Sequence, residues 1–379
     1  MKSCCVALTV GILSCASLAW GVEHVTLQRD GQEQQISGKL VVEAADGGVL
    51  VQTPDGRLWA IEPQDLVKRS SDETAFAPLT REQLEKQLTA ELTDFRVHHT
   101  ENYLICYNTS RGYAEWCGAL YERLYKAFYD HWEDRGLTLK APETPLVALV
   151  FQNKASYRDY AKAELGEAVD AIEGYYSLPS NRVMMYDLTG VEGANLGERV
   201  GMSARINAIL SRPGAEGTVA TIIHEATHQL AFNSGLHQRL GAVPRWLSEG
   251  MAIYFETPDL KNSRGWNRIG AVNQMRLLTF RKSLASRPAD ALAQLLSSDA
   301  RFLDTSTAKE AYAEAWALNY FLIRTRQKDY VKYMQTLAEK GPLLPDSPAE
   351  RLQDFTAAFG EDLGKLDAAF VKYMLKVKL

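Results

Sequence analysis

The chain has 379 residues, of which 46% are apolar and 23% charged, enough to bury a sizeable core and inconsistent with a disordered chain. A formal net charge of −5 with no cluster of Lys and Arg argues against nucleic acid or an anionic membrane surface as a partner. The length accommodates one large domain and one small one.

The first 21 residues differ from the rest: Lys2 is their only charge, residues 6–18 are largely apolar, and Ala19-Trp20-Gly21 places small residues at −3 and −1. This pattern predicts a secretory signal peptide over 1–21, too short for a membrane span. An exported protein, periplasmic or extracellular, follows, with no integral membrane segment in the mature chain. The alternative is a lipid anchor on Cys15, although Leu13 fits that cleavage pattern poorly. Three of the five cysteines lie in this segment. The exported setting permits a disulfide between the remaining two, Cys106 and Cys117, and two buried thiols are the other possibility.

Residues 22–70 carry short β-prone runs at 25–27, 36–42, 49–51 and 58–61, divided by Asp30-Gly31, Asp46-Gly47-Gly48 and Pro54-Asp55-Gly56. Such runs and turns predict a small all-β unit that resembles an SH3-like barrel. Its role is either to bind a cell-envelope ligand or to pack passively, since no basic or aromatic patch marks a surface. Residues 70–79 read as a polar connection. Thr80 and Gln83 then form a capping box for a helix reaching about Leu92. Beyond it the pattern predicts a hairpin over 95–107, a long amphipathic helix over 113–132, a buried strand over 145–151, a helix over 156–165 and a strand over 181–188.

His224-Glu225-Ala226-Thr227-His228 is an HExxH motif, and Trp246-Leu247-Ser248-Glu249-Gly250 follows it. On a helix, His224 and His228 stand one turn apart on the same face, so both imidazoles can reach one tetrahedral metal. Glu225 can then serve as general base for a water. Val219, Ile222, Ile223, Ala226 and Leu230 recur at helical spacing, with Thr218 available as a cap and Asn233-Ser234-Gly235 as a stop. His98, His99, His131 and His237 lack ligand spacing and read as surface or core histidines. From about residue 270 the pattern is helical, with breaks at Arg287-Pro288, Asp304-Thr305, 341–348 and Gly360. Tyr312, Trp316 and Tyr320 share one helical face, as a packing stripe would.

His224 to His228 together with Trp246-Leu247-Ser248-Glu249-Gly250-Met251-Ala252 resembles the gluzincin metallopeptidases, the clan of the thermolysins and M1-type aminopeptidases. The layout is similar to an uncharacterised family of secreted bacterial gluzincin-like proteins. The resemblance implies zinc held by His224, His228 and Glu249, with Glu225 as base, and a peptide or protein substrate. It implies an α+β architecture: the SH3-like barrel over 22–70, a zincin-type domain with a mixed sheet and active-site helix over 80–265, and an α-helical lobe over 266–379. It further offers Tyr312 as the group over the zinc that stabilises the oxyanion, and residues 183–186 as the sheet edge that pairs with substrate, an ordinary core strand being the alternative. Ile253 stands where thermolysin-like enzymes carry a supporting polar residue. Glu256 is a possible supporter, a solvated helix end the other reading. The M1-type G-x-M-E-N stretch is missing from 183–186, which disfavours aminopeptidase action and favours an endopeptidase. A gluzincin-shaped binding or scaffold protein of the cell envelope, weak or inactive as an enzyme, is the competing expectation.

Overall fold

A computed structural model describes residues 21–29, 31–189, 215–257 and 269–379. The expected leader therefore lies outside the described residues except for Gly21, which opens the first strand. The chain divides into two compact units, Met1–Pro78 and Leu79–Leu379.

The first unit is an antiparallel sheet of β1 (Gly21–Arg29), β2 (Gln32–Glu43), β3 (Val49–Gln52), β4 (Leu58–Ile61) and β5 (Leu66–Ala75), in the order β4-β3-β2-β1-β5. Gly47 and Gly56 adopt φ of +92° and +82° in the turns, conformations that side chains disfavour, so the Asp-Gly pairs do mark chain reversals. Val25, Leu27, Ile36, Val49, Val51 and Ile61 make the core. The sequence places a polar connection after residue 70, but the strand runs on to Ala75, because β1 offers partners as far as Gly21. The two end strands, β4 and β5, are not paired with each other among the described residues, so the sheet is open as described.

The second unit is built on a mixed sheet of β6 (Arg96–His99), β7 (Tyr103–Tyr107), β8 (Leu146–Phe151), β9 (Gly174–Ser177) and β10 (Arg182–Tyr186), in the order β6-β7-β8-β10-β9. β7, β8 and β10 run parallel, and β6 and β9 flank them antiparallel. Side chains on a strand alternate between faces. Tyr103, Ile105 and Tyr107 accordingly enter one core, with Ala148, Val183 and Met185. Leu104 and Cys106 enter another, with Leu149 and Met184.

Three helices precede the site: α1 (Arg81–Glu91), with the Thr80/Gln83 capping box in place, α2 (Arg111–Glu133) and α3 (Lys154–Leu165). α1 and α3 cover the face that Cys106 shares. α2 covers the other and contributes Cys117 there. The two thiols are therefore free and buried on opposite sides of the sheet, which excludes a disulfide between them.

Then come α4 (Ala215–Asn233), α5 (Arg245–Phe255), α6 (Gln274–Ser283), α7 (Ala291–Ser297), α8 (Ala300–Leu303), α9 (Ala308–Thr325), α10 (Gln327–Ala338), α11 (Pro348–Phe359) and α12 (Leu363–Lys376). Thr218 lies inside α4 rather than at its cap, since the helix begins at Ala215. The expected stop holds: α4 ends at Asn233, and Gly235 takes φ +76°. One continuous apolar core joins the α2 face of the sheet to α4, α5 and the later helices. No helix among the described residues is long and apolar enough to cross a membrane.

Candidate metal centre

α4 buries Val219, Ile222, Ile223, Ala226 and Leu230 in that core, which fixes its rotation and turns His224 and His228 together to the opposite side. The helix is also tethered through its polar residues. The Gln229 amide donates to the Val147 and Asn181 carbonyls at 3.0 and 2.9 Å, fastening α4 to the sheet one residue beyond His228.

α5 delivers the third donor. Its Gly250 sits against α9 so closely that an added Cβ would lie 2.4 Å from the Ala315 carbonyl oxygen and 2.1 Å from Asn319 Nδ2. Only glycine allows that approach, and Asn319 fastens it by donating to the Trp246 carbonyl at 2.8 Å. Glu249, one residue earlier, is thereby aimed at α4.

The donor atoms converge. His224 Nε2 lies 3.2 Å from Glu249 Oε2 and 3.2 Å from His228 Nε2, and His228 Nε2 lies 3.6 Å from Glu249 Oε2. A tetrahedral ion with ligand distances of about 2.0–2.1 Å has ligand-to-ligand edges of about 3.3 Å. The triangle fits such an ion, and it is the group of three His, Cys or acidic side chains with metal-binding geometry among the described residues. The other imidazoles do not join it.

The far side of His224 is also held. Its Nδ1–H donates to Glu256 Oε2 at 3.0 Å, which turns the ring so that Nε2 faces the other ligands. Glu256 in turn accepts at Oε1 from Asn273 Nδ2 at 3.1 Å, and Asn273 Oδ1 caps α6 by accepting from the Arg276 N–H at 3.0 Å. Of the two readings of Glu256, the supporting one is observed, because α5 ends where its last turn still faces α4.

Burial and neighbouring charges oppose one another within the cluster. Burial opposes a charged His224, but its contacts with Glu249 and Glu256 prevail and raise its pKa well above the usual imidazole value. Burial would raise Glu249, yet His228 and His224 hold its carboxyl well below the usual carboxylate range. Glu225 is raised, chiefly by burial, which makes it a stronger base. Its Oε2 accepts from the Tyr176 backbone N–H at 2.8 Å.

Tyr176 belongs to β9, a strand not anticipated from the sequence. The edge role expected of residues 183–186 is corrected here: β10 lies between β8 and β9, and β9 is the outer strand on that side among the described residues. Met184 and Met185 are buried on both faces, as a core strand requires. The available signal was the aromatic Gly174-Tyr175-Tyr176-Ser177 just before the turn Leu178-Pro179-Ser180-Asn181. The Tyr176 ring stacks on Phe232 at 5.8 Å, and its hydroxyl donates to Asn181 at 2.7 Å, locking β9 to the end of α4.

Trp316 and Tyr320 are buried in the core as the stripe predicts, but Tyr312 is half-buried at its end. Phe302 packs edge-on against the Tyr312 ring at 5.2 Å. Burial, and then the charges of Glu249 and Glu225, push the Tyr312 pKa up to about 12, so its hydroxyl stays protonated within the field of both acids.

A family described as "Protein of unknown function (DUF1570)" matches residues 218–344, about a third of the chain. The matched stretch runs from α4 into the loop after α10 and contains every side chain of the cluster, with Glu225, Glu256, Asn273 and Tyr312. No curated protein matches the chain.

Proposed function

We propose that the protein is an exported, zinc-dependent peptidase of gluzincin type, acting as an endopeptidase on extended peptides. The observation that carries the reading is the triangle of His224 Nε2, His228 Nε2 and Glu249 Oε2, whose edges of 3.2, 3.2 and 3.6 Å suit a tetrahedral ion. Two imidazoles and one carboxylate are a donor set suited to zinc and leave a fourth position for solvent or substrate. The α4 and α5 pair beside a mixed sheet favours a zincin-type domain, and the long, bulged β2 favours an SH3-like barrel ahead of it. A cell-envelope ligand is the partner we assign to that first unit.

A zinc ion bound there supplies Lewis acidity that polarises a carbonyl and acidifies a water near neutral pH. Glu225 takes the proton from the attacking water. Its Oε2 is held by the Tyr176 N–H, which leaves Oε1 to receive that proton and to pass it to the departing amine. The Tyr312 hydroxyl, protonated at neutral pH, donates toward the substrate carbonyl oxygen as charge gathers on it. β9, the outer strand, carries no acid that would hold a free amino terminus, which favours internal bonds over N-terminal ones.

Glu225→Gln should lower the rate on a mixed peptide library by about 10²–10⁴-fold while leaving the zinc content unchanged. If wild type cleaves the library no faster than this variant, the peptidase reading is lost and a gluzincin-shaped binding protein replaces it. Metal analysis comes first: wild type purified without chelator should carry one zinc per chain, and His228→Ala should not.

A further inference from the structure

We infer that Arg245 and Arg276 form a carboxylate-recognition site beside the metal centre and select acidic peptides, either by a Glu or Asp side chain or by a free C-terminus. The inference deepens the peptidase reading and rests on it. Arg245 is the first residue of α5 and lies one turn before Glu249, so the two occupy the same face of the helix. Arg276 lies in the first turn of α6, whose cap, Asn273, is bonded to Glu256 and through it to His224. Its guanidinium stands over the Tyr312 ring, 5.7 Å from the centroid. Both arginines lie close enough to pull on the Tyr312 hydroxyl electrostatically, against Glu249 and Glu225.

Neither guanidinium has a hydrogen-bond or ion-pair partner among the described residues, and Arg276 Nε is buried without an acceptor. The acids nearby are already engaged. Glu249 faces His224 and His228, Glu256 is shared by His224 and Asn273, and Asp299, which accepts the Arg245 backbone N–H, is held by both arms of Arg351 at 2.9 and 3.0 Å. A divalent ion would offset Glu249 and Glu225, which leaves the two arginines in excess over the remaining carboxylate of Glu256. A buried guanidinium donor without an acceptor is costly, and a carboxylate is the partner whose geometry matches its fork. Elsewhere the protein spends such forks on acids: Arg182 on Glu91, Arg287 on Asp367 and Arg351 on Asp299.

The test uses zinc-loaded full chain carrying Glu225→Gln, which binds without turnover, and three fluorescein-labelled hexapeptides read by fluorescence anisotropy. One is uncharged with a C-terminal amide, one carries a single internal Glu, and one ends in a free carboxylate. At least one acidic peptide should bind about tenfold or more tightly than the uncharged one. Which of the two does so identifies the source of the carboxylate. Adding Arg245→Gln with Arg276→Gln should bring the ratio to within about twofold of unity, Arg276→Lys should retain part of it, and the uncharged peptide should be unaffected. Affinities within twofold across all three peptides, no binding of any, or a ratio that survives the double substitution overturns the inference. Failure of wild type to hydrolyse peptides removes the peptidase reading but leaves the binding ratio intact, so the two failures are distinguishable.

Discussion

The three donor atoms are only as well placed as the side chains behind them. Glu256 fixes which nitrogen of His224 faces inward, and Asn273 fixes Glu256. Glu256→Ala should weaken zinc about 10–100-fold in competition with a chelator, without unfolding the chain, because outer partners orient a ligand rather than bind the ion. An unchanged affinity would mean that His224 is held by its own helix alone. HExxH was legible in the sequence because helical spacing by itself brings i and i+4 together, and Glu249 was legible only through the resemblance of Trp246-Leu247-Ser248-Glu249-Gly250 to the gluzincin motif. The Asn273 contact was not, because the order of residues does not say that the start of α6 returns to the end of α5. Tyr176 was hidden for a related reason: it contributes a backbone N–H, which every residue but proline has, and only the pairing of β9 with β10 aims it at Glu225.

Helix α9 positions one wall of the site through two contacts of different kinds. At Gly250 the backbones nearly touch, and Gly250→Ala should cost about 1–3 kcal/mol, because the Ala315 carbonyl cannot yield as a flexible side chain would. The same change should lower zinc affinity by pushing Glu249 off the triangle. A lower melting temperature with unchanged affinity would show that α5 slides without moving its carboxylate. Farther along, buried Glu314 accepts from Arg287 Nε at 2.9 Å and from Arg301 Nη1 at 2.8 Å, while Arg287 also grips Asp367 of α12. Glu314→Ala strands part of that charge and should destabilise by roughly 3 kcal/mol, measured from the shift in urea midpoint. The helical character of this region was legible from periodicity, and the breaks at Pro288, Asp304 and Gly360 fall between helices, while the one expected over 341–348 ends at Pro348, the first residue of α11. The short interruptions at Ser298 and Arg326 carry no Gly or Pro and were not.

Across the whole molecule, acid should act through buried imidazoles. Burial lowers the pKa of His131 to about 3, among the rings of Trp132, Tyr254 and Phe255. His237 is likewise lowered to about 3 by burial, and neither of its ring nitrogens has a hydrogen-bond partner among the described residues. Both stay neutral in the folded chain while the unfolded chain takes up protons below about pH 6.5. Stability is therefore fully present above that value and falls as pH drops toward 3, by a few kcal/mol at most for each group. His131→Phe should flatten the slope of urea midpoint against pH between 6.5 and 4; an identical slope would show that this imidazole finds a proton partner when folded.

The mixed sheet also gives the molecule two internal reporters. Cys106 and Cys117 sit in separate apolar layers, and burial raises both thiols, Cys106 to about 12, so neither reacts while its layer is closed. Alkylation of the chain from Val22 onward then becomes a clock with two hands. Cys106 times the opening of the α1 and α3 layer, and Cys117 that of the layer packed beneath α4. If the face packed against α4 and the opposite face breathe independently, the two labelling rates will differ under native conditions, and added zinc will slow Cys117 while leaving Cys106 unchanged.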